Sequence, residues 1–446
     1  MFKFHTPVRG RLWLRRLFLF LIGIVTVLSF TAAGSAQTMS LQRERARGIL
    51  RVIRSEIEKN YYDANYHGVD INAVFGEADE LMKKAESGGQ IYGIIARALM
   101  QFNDSHLYFA PPSRASKVER GWTMQAIGDK TYISSVKPGS DADKKGLHPG
   151  DLVLSVNEMA PTRETLWMIE YLFVLRPQVV TQFILENPKG EARKVDVDAK
   201  VTQGRKVTDL TNGEEWLRLQ AEEEREARLF RHRYIKIDDV FFWKMPIFDL
   251  PQNQVDDMMG KVKGSKALVL DLRGNGGGAE ETLLRMIGNL FERDITVGVL
   301  KRRKEEKTLV AKSRGDSAYK GDVIILIDNG SGSSSELLAR VVQLEKRGVV
   351  IGDRSAGAVM RARFSSHSAG LDTVIFYGVS VTDADVIMTD GKSLEKLGVT
   401  PDVLLLPTAI DMSLQSDPVL SAAAARAGLT IPAEKAGKIF PVEWRQ

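Results

Sequence analysis

The chain of 446 residues contains no cysteine. Disulfides, thiolate metal ligands and thiol nucleophiles are excluded, and its domains must be held by core burial alone. Histidine is scarce: six residues, at 5, 67, 106, 148, 232 and 367, without an H-E-x-x-H pair. Metal-assisted hydrolysis has little to build on, and neither metal nor cofactor is expected. Lysine is missing from the whole stretch between Lys346 and Lys392. Internal repeats and low-complexity tracts are absent as well. The first 36 residues lack any acid: Lys3, Arg9, Arg11, Arg15 and Arg16 make them +5, which equals the formal net charge of the chain. The remainder is formally neutral, so basicity gives no support for a nucleic-acid partner.

The basic start is followed by an apolar run, Leu17–Ala33, and by the small residues Gly34-Ser35-Ala36. This is the order of an export signal over residues 1–36, cleaved after Ala36, and implies a periplasmic or extracellular protein. An uncleaved anchor helix is the alternative, and the membrane is expected as a partner only in that form. Hydrophobic content of 43% and charged content of 27% are ordinary for a globular protein, and the length allows two or three domains.

Residues 38–112 have helical apolar spacing, ending in Asn103-Asp104-Ser105-His106-Leu107-Tyr108-Phe109. Residues 117–201 change to short alternating strands, and 202–234 include a charged helix, Thr211–Arg233, read as a solvated connector. Strands and helices alternate over 235–408, and a helical tail occupies 409–446.

The centre of the chain is Val323–Glu336, VIILIDNGSGSSSE. An unbroken apolar strand runs into Asp, Asn and glycine turn chemistry. An amphipathic helix then opens on Ser333–Ser335, with Gly348 placed to cap its C-terminus. A serine at a sharp strand-to-helix turn suits a nucleophile, although three serines there can equally serve as helix caps. A second feature is Asp271-Leu272-Arg273-Gly274-Asn275-Gly276-Gly277-Gly278 after another buried strand. Successive glycines bring bare N–H groups to a ligand atom, as an oxyanion hole or a phosphate cradle requires, and the Lys-Ser/Thr ending of a phosphate loop is missing.

Two resemblances organise these features. Tyr132–Val136, Pro138-Gly139-Ser140-Asp141-Ala142 and Gly146–Asn157 resemble a PDZ domain, which implies a peptide-binding loop at Gly121-Trp122-Thr123-Met124. The D-L-R-x-N-G-G-G stretch, S-x-S-E some sixty residues later, and Gly352-Asp353-Arg354-Ser355-Ala356-Gly357-Ala358 resemble the C-terminal processing (tail-specific) serine peptidases. That resemblance implies a multidomain α/β protein: a helical N-terminal segment, a PDZ-like β domain and a crotonase-like α/β peptidase core acting on protein or peptide substrates. It places the nucleophile on Ser333 and oxyanion donors on Ser334 and Gly276 or Gly277. The best-known branch has a lysine base where this chain has Ala358, so a Ser–Lys dyad is out. A branch resembling the tricorn core peptidase uses histidine instead. Its pattern is matched by Ser105-His106 before the PDZ segment and by Glu395 in Glu395-Lys396-Leu397-Gly398-Val399-Thr400-Pro401-Asp402. The resemblance implies His106 as base and acid, oriented by Glu395 directly or through Ser105. Asp271 and Arg273 are expected to organise the glycine turn. The alternative function is a catalytically inactive binder of peptides or small apolar ligands, since the resemblance includes retinoid-binding relatives.

Overall fold

The computed structural model describes residues 39–114, 116–203, 230–370 and 374–444. The leader and all but the last four residues of the expected helix Thr211–Arg233 lie outside these. Those four form a turn and the start of a strand rather than helix. His232 is half-buried immediately before a strand: Trp243 Nε1 donates to its Nδ1 at 3.2 Å, and its Nε2 lies 3.0 Å from Asp249.

Three helices open the described chain: α1 (39–60), α2 (Ile71–Lys84) and α3 (Gly88–Met100). Asp70 caps α2 by accepting the N–H groups of Asn72 and Ala73, and Ser87 caps α3 through Gln90 N–H. Ile49, Ile53 and Ile57 recur every fourth residue on α1, so one stripe is buried with Phe75, Met82, Ile95, Leu99 and Phe102. Strand β1 (Tyr108–Ala110) follows and adds its Phe109 to that cluster.

The PDZ-like unit contains β2 (Ser116–Glu119), β3 (Trp122–Ile127), β4 (Lys130–Val136), α4 (Asp141–Lys144), β5 (Leu152–Val156), α5 (Leu166–Leu175), β6 (Val180–Glu186), β7 (Ala192–Asp198) and β8 (Lys200–Gln203). Strands β3 to β7 form one antiparallel sheet in sequence order, and β2 pairs with β8 apart from it. The Trp122 indole packs into this unit's core with its ring edge-on to Phe173 and Phe183.

The core holds β9 (Arg233–Ile237), β10 (Val240–Lys244), α6 (Gln252–Val262), β11 (Ala267–Asp271), α7 (Glu280–Leu290), β12 (Ile295–Lys301), β13 (Glu306–Ala311), β14 (Asp322–Ile327), α8 (Ser334–Leu344), β15 (Gly348–Gly352), β16 (Met360–Ala369), β17 (Ile375–Met388) and β18 (Val403–Leu404). One six-stranded sheet has the order β18-β15-β14-β11-β10-β9, parallel except for β9. Its inner strands β10, β11 and β14 read as continuous apolar runs because both faces are covered. Val323, Ile325 and Ile327 pack beneath α6, α7 and α8, whereas Ile324 and Leu326 meet the tail helix α9 (Pro418–Arg426) through Val419, Leu420 and Ala423. Full burial of each such aliphatic side chain contributes roughly 1.5–3 kcal/mol. A second sheet has the order β1-β17-β12-β13, with β16 on β17. It joins the N-terminal helices to the core, because β1 lies antiparallel on β17 with Tyr108 opposite Ser380.

Gly348 does not cap α8. The helix ends at Leu344, the left-handed position falls on Lys346 (φ 52°), and Gly348 is already strand, opposite Val323. Its reason is space: a Cβ there would lie 2.2 Å from the Val323 carbonyl oxygen. Gly348→Ala is therefore expected to destabilise the fold by about 1–3 kcal/mol, measured as a lower urea midpoint at unchanged m-value.

Candidate active site

The turn between β14 and α8 has a backbone that only local constraint can hold. Ser333 has φ 51° and ψ −115°, which costs a non-glycine residue about 1–3 kcal/mol. Two acceptors share its N–H: the Ala358 carbonyl at 2.8 Å and Glu336 Oε2 at 2.9 Å. The neighbouring hydroxyls are engaged. Ser334 Oγ donates to Gly278 O at 3.1 Å, Ser335 Oγ to Asn275 O at 2.8 Å, and Ser331 Oγ to Leu272 O at 2.9 Å. No described residue accepts a hydrogen bond from Ser333 Oγ. Of the three consecutive serines, only Ser333 keeps its hydroxyl proton uncommitted. The two that follow it stitch the turn to the glycine stretch.

That stretch lies directly against the turn. Gly277 has φ 105°, and a Cβ on it would stand 2.6 Å from Ser333 Cβ and 3.0 Å from Ser334 N, so nothing larger than glycine fits. The Gly277 N–H is not free, however: it donates to Oδ1 of the fully buried Asn275 at 2.8 Å. The N–H groups of Gly276, Gly278 and Ser334 have no acceptor among the described residues. Asp271 is buried and accepts from Lys244 Nζ and from Arg273 N, Nε and Nη2, and the two cations hold its carboxyl far below the usual range. Arg273 also clamps Asp417, the cap of α9.

His106 comes from the other end of the chain. Asp104 accepts the N–H groups of His106 and Leu107 on Oδ1, and is itself held by Thr382 Oγ1 at 2.7 Å and Tyr61 Oη at 2.9 Å. Ser105 Oγ donates to Glu395 Oε2 at 2.8 Å and lies 2.8 Å from His106 Nδ1. With its own proton on Glu395, that oxygen can only accept from His106, so the ring carries its proton on Nδ1 and offers a lone pair at Nε2. Glu395 also accepts from Ser105 N–H and from Val359 N–H, and Lys396 Nζ stands 3.4 Å from it. Glu395 thus meets His106 through Ser105, with no direct bond. Burial lowers the His106 pKa, assisted by Lys396 and opposed by Glu395 and Asp104.

The two halves meet at residues 358–359. Ala358 O accepts from Ser333 N–H, and the next residue, Val359, donates to Glu395. No hydrogen bond joins Ser333 to His106. Among residues that sequence reasoning did not assign, Glu336 is the most central. It is fully buried and accepts from Ser333 N–H, Gly357 N–H, Ala358 N–H and Ser355 Oγ. Desolvation pushes its pKa up to about 7, against four donors that each favour the carboxylate. Its signal was the S-E pair itself. Asp104, two residues before the histidine, had no comparable mark. Asp402, at the end of the stretch that follows Glu395, accepts from Val350 N–H and Gln343 Nε2.

The PDZ-like unit is docked beside this turn. Gln125 Nε2 donates to Asp328 Oδ2 at 2.7 Å, and the buried Arg163 guanidinium pairs with Asp353, which also accepts from Gly128 N–H. A cavity of about 650 Å³ lies at the carboxyl ends of the parallel strands, between Gln125, Lys244, Arg273, Asp328, Asp353 and Trp444. Of the expected loop Gly121–Met124, only Gly121, left-handed (φ 74°), precedes β3; the other three lie on the strand, where Trp122 is core, Thr123 is exposed and Met124 is half-buried. Among the described residues, no group of three or more His, Asp or Glu side chains converges as a metal site would require.

Residues 234–405 match Peptidase family S41 and residues 114–165 match the PDZ domain. The core is a peptidase family S41 domain. Over 341 residues the chain is 27% identical to the tail-specific protease of Haemophilus influenzae, covering 72% of this chain and 46% of that protein. Over 408 residues it is 23% identical to the chloroplastic C-terminal processing peptidase of Tetradesmus obliquus, covering 80% of this chain and 77% of that one. The chain thus spans about half the length of the Haemophilus relative. In fold it is similar to the crystal structure of mature CPAF, with a TM-score of 0.62, 15% identity, and coverage of 84% of this chain and 94% of that one.

In this S41 domain the close approach of Gly277 to Ser333 predicts that Gly277→Ala displaces the serine. Loss of at least about 100-fold in turnover, at unchanged far-UV circular dichroism, is the expected result.

Proposed function

We propose that this protein is an exported serine endopeptidase of protein or peptide substrates, working through Ser333, His106, Ser105 and Glu395. The observation that supports it is the Glu395–Ser105–His106 chain of hydrogen bonds, which presents an unprotonated Nε2. On closure His106 Nε2 takes the Ser333 hydroxyl proton as Oγ attacks the peptide carbonyl carbon, and the carbonyl oxygen becomes an oxyanion. Ser334 N–H and an N–H of the turn 276–278 receive that charge. His106 then passes the proton to the leaving amine nitrogen, and water, deprotonated by His106, hydrolyses the acyl ester. Glu395 acts through Ser105 by holding the tautomer and stabilising the imidazolium.

The names of the relatives, a tail-specific protease and a C-terminal processing peptidase, support substrates engaged near a free carboxyl end. Residues 121–124, at the start of β3, are proposed to receive that end by strand addition. Export is proposed from the basic, apolar and small-residue order of residues 1–36.

A second reading, an inactive binder on the same fold, draws on two facts: Ser333 makes no bond to His106, and Asn275 occupies the Gly277 N–H. A fluorophosphonate probe separates the two. Labelling is expected on Ser333, abolished by Ser333→Ala and reduced at least about 100-fold by His106→Ala. Persistent absence of labelling in the wild type, even with candidate peptides added, would sink the peptidase reading.

The pH profile carries an independent expectation. Because burial lowers the His106 pKa below 6.5, its base form persists into mild acid. The acidic limb of kcat/KM is therefore expected below pH 6.5, and a limb above 7 would contradict the role of His106.

A further inference from the structure

A second, smaller cavity adjoins the turn that carries His106. Its volume is about 180 Å³, and it lies where α3, the helix α5 of the PDZ-like unit and residues 103–108 come together. Its lining is largely carbon. Ala96 and Leu99 of α3 and Leu107 are buried side chains of the N-terminal cluster, and Trp167 and Tyr171, one turn apart on α5, add two rings. The Tyr171 hydroxyl is spent on β1, donating to Phe109 O at 2.7 Å and accepting from Phe109 N–H at 3.1 Å. Trp167 remains 52% exposed. An apolar cavity of about 150 Å³ takes a benzene ring, so this one has room for an aryl or branched alkyl group.

The polar groups on the cavity wall divide sharply. Asp104 is saturated, accepting from His106 N–H, Leu107 N–H, Thr382 Oγ1 and Tyr61 Oη, and the Ser105 hydroxyl is held between Glu395 and His106. Lys396 is not saturated. Its ammonium has one partner among the described residues, Glu395 Oε1 at 3.4 Å, and that contact is an ion pair without a hydrogen bond. The lysine is fixed by its backbone, which has φ 63° and donates to Gly357 O at 2.7 Å in the loop that leads to Ala358. Its charge therefore stands at the cavity with donors to spare, while the acids beside it are already engaged. An apolar recess with a free cation at its edge selects for an anion attached to carbon.

We infer that this cavity binds a small apolar carboxylate, with an aryl or branched alkyl group against Leu99, Leu107 and Trp167 and the carboxylate on Lys396. A free arylalkanoic acid has this chemistry, and so does the last residue of a peptide that ends in phenylalanine or leucine. The binding stands apart from the peptidase reading, and its effect on turnover rests on that reading. His106 is faced by the anions Glu395 and Asp104, which raise its pKa, and by the cation Lys396, which lowers it. A carboxylate on Lys396 offsets that cation. The bound ligand therefore raises the His106 pKa and moves the acidic limb of kcat/KM upward, by about half a pH unit.

The test is calorimetric titration of the full chain with phenylpropionate, with its neutral amide phenylpropanamide, and with N-acetyl-alanyl-phenylalanine. Phenylpropionate is expected to bind at least about tenfold more tightly than the amide. Lys396→Met should abolish that difference, and Trp167→Ala should weaken acid and amide alike by about tenfold. Binding of the peptide as tight as that of the free acid upholds the site as a receptor for chain ends, and binding of the free acid alone upholds it as a small-molecule site. Equal affinity for acid and amide, no heat from either up to about 10 mM, or acid binding untouched by Lys396→Met overturns the inference and leaves the peptidase reading standing. The pH profile with saturating phenylpropionate reads the coupling: its acidic limb should move upward in the wild type and stay in place in Lys396→Met. A limb that stays in place in the wild type, with the acid bound, overturns the link to His106. Absence of turnover in the wild type sinks the peptidase reading instead, and the calorimetry still decides the site.

Discussion

A single buried carboxylate holds the centre of this molecule together. Glu336 has no exposed surface, and taking an ionised carboxylate out of water costs several kcal/mol unless donors replace the lost hydration. Four donors do so. One is the N–H of Ser333 at the turn, and three belong to Ser355, Gly357 and Ala358 in the loop after β15. The same bonds fasten the unfavourable dihedral angles of Ser333 and fix the loop whose next residue, Val359, donates to Glu395. Replacing this carboxylate by an apolar side chain would leave several buried donors without a partner, which is more costly than the loss of the bonds themselves.

The histidine side is supported by a different kind of force. The turn holding His106 is positioned because β1 joins the edge of β17 and because the N-terminal helices bury Phe109, Val379 and Val381 in one apolar cluster with Ile53, Ile95 and Leu99. Asp104 then converts that docking into orientation, tied to Thr382 of β17 and to Tyr61 of the helical segment. Hydrophobic burial is non-directional and brings the elements together, whereas the hydrogen bonds of Asp104, Ser105 and Glu395 set the angle of one imidazole ring.

Local features were read well from sequence where one residue type has one physical reason. The run Val323–Ile327 is a strand covered on both faces, and the tail is helical over Pro418–Arg426. Reading faltered where a residue has two possible reasons. Gly348 had the position of a helix cap, but it is a glycine because β15 passes too close to Val323 for a side chain. Trp122 falls in a stretch read as a peptide-binding loop, yet it opens β3 and its strand alternation turns the indole into the core. Gly277 was named for its N–H, and its clearest structural demand is the absence of a Cβ beside Ser333.

By itself the sequence determined the elements, the order of the domains, and the kinds of chemistry available. The absence of cysteine excluded thiol chemistry, and the resemblance to the C-terminal processing peptidases, read with no lysine between Lys346 and Lys392, implied a serine, a histidine and a carboxylate. Tertiary structure alone decided which groups meet and in which state. Residues 104–106, 333–336, 355–359 and 395 are brought together only by strand pairing and core burial over nearly three hundred residues. The proton on His106 Nδ1, the uncommitted hydroxyl of Ser333 among three serines, and the engaged N–H of Gly277 follow from which acceptor lies within 3 Å. Periodicity and motif spacing record what a segment will form. They do not record distances between segments, because those are fixed by packing that no single stretch contains.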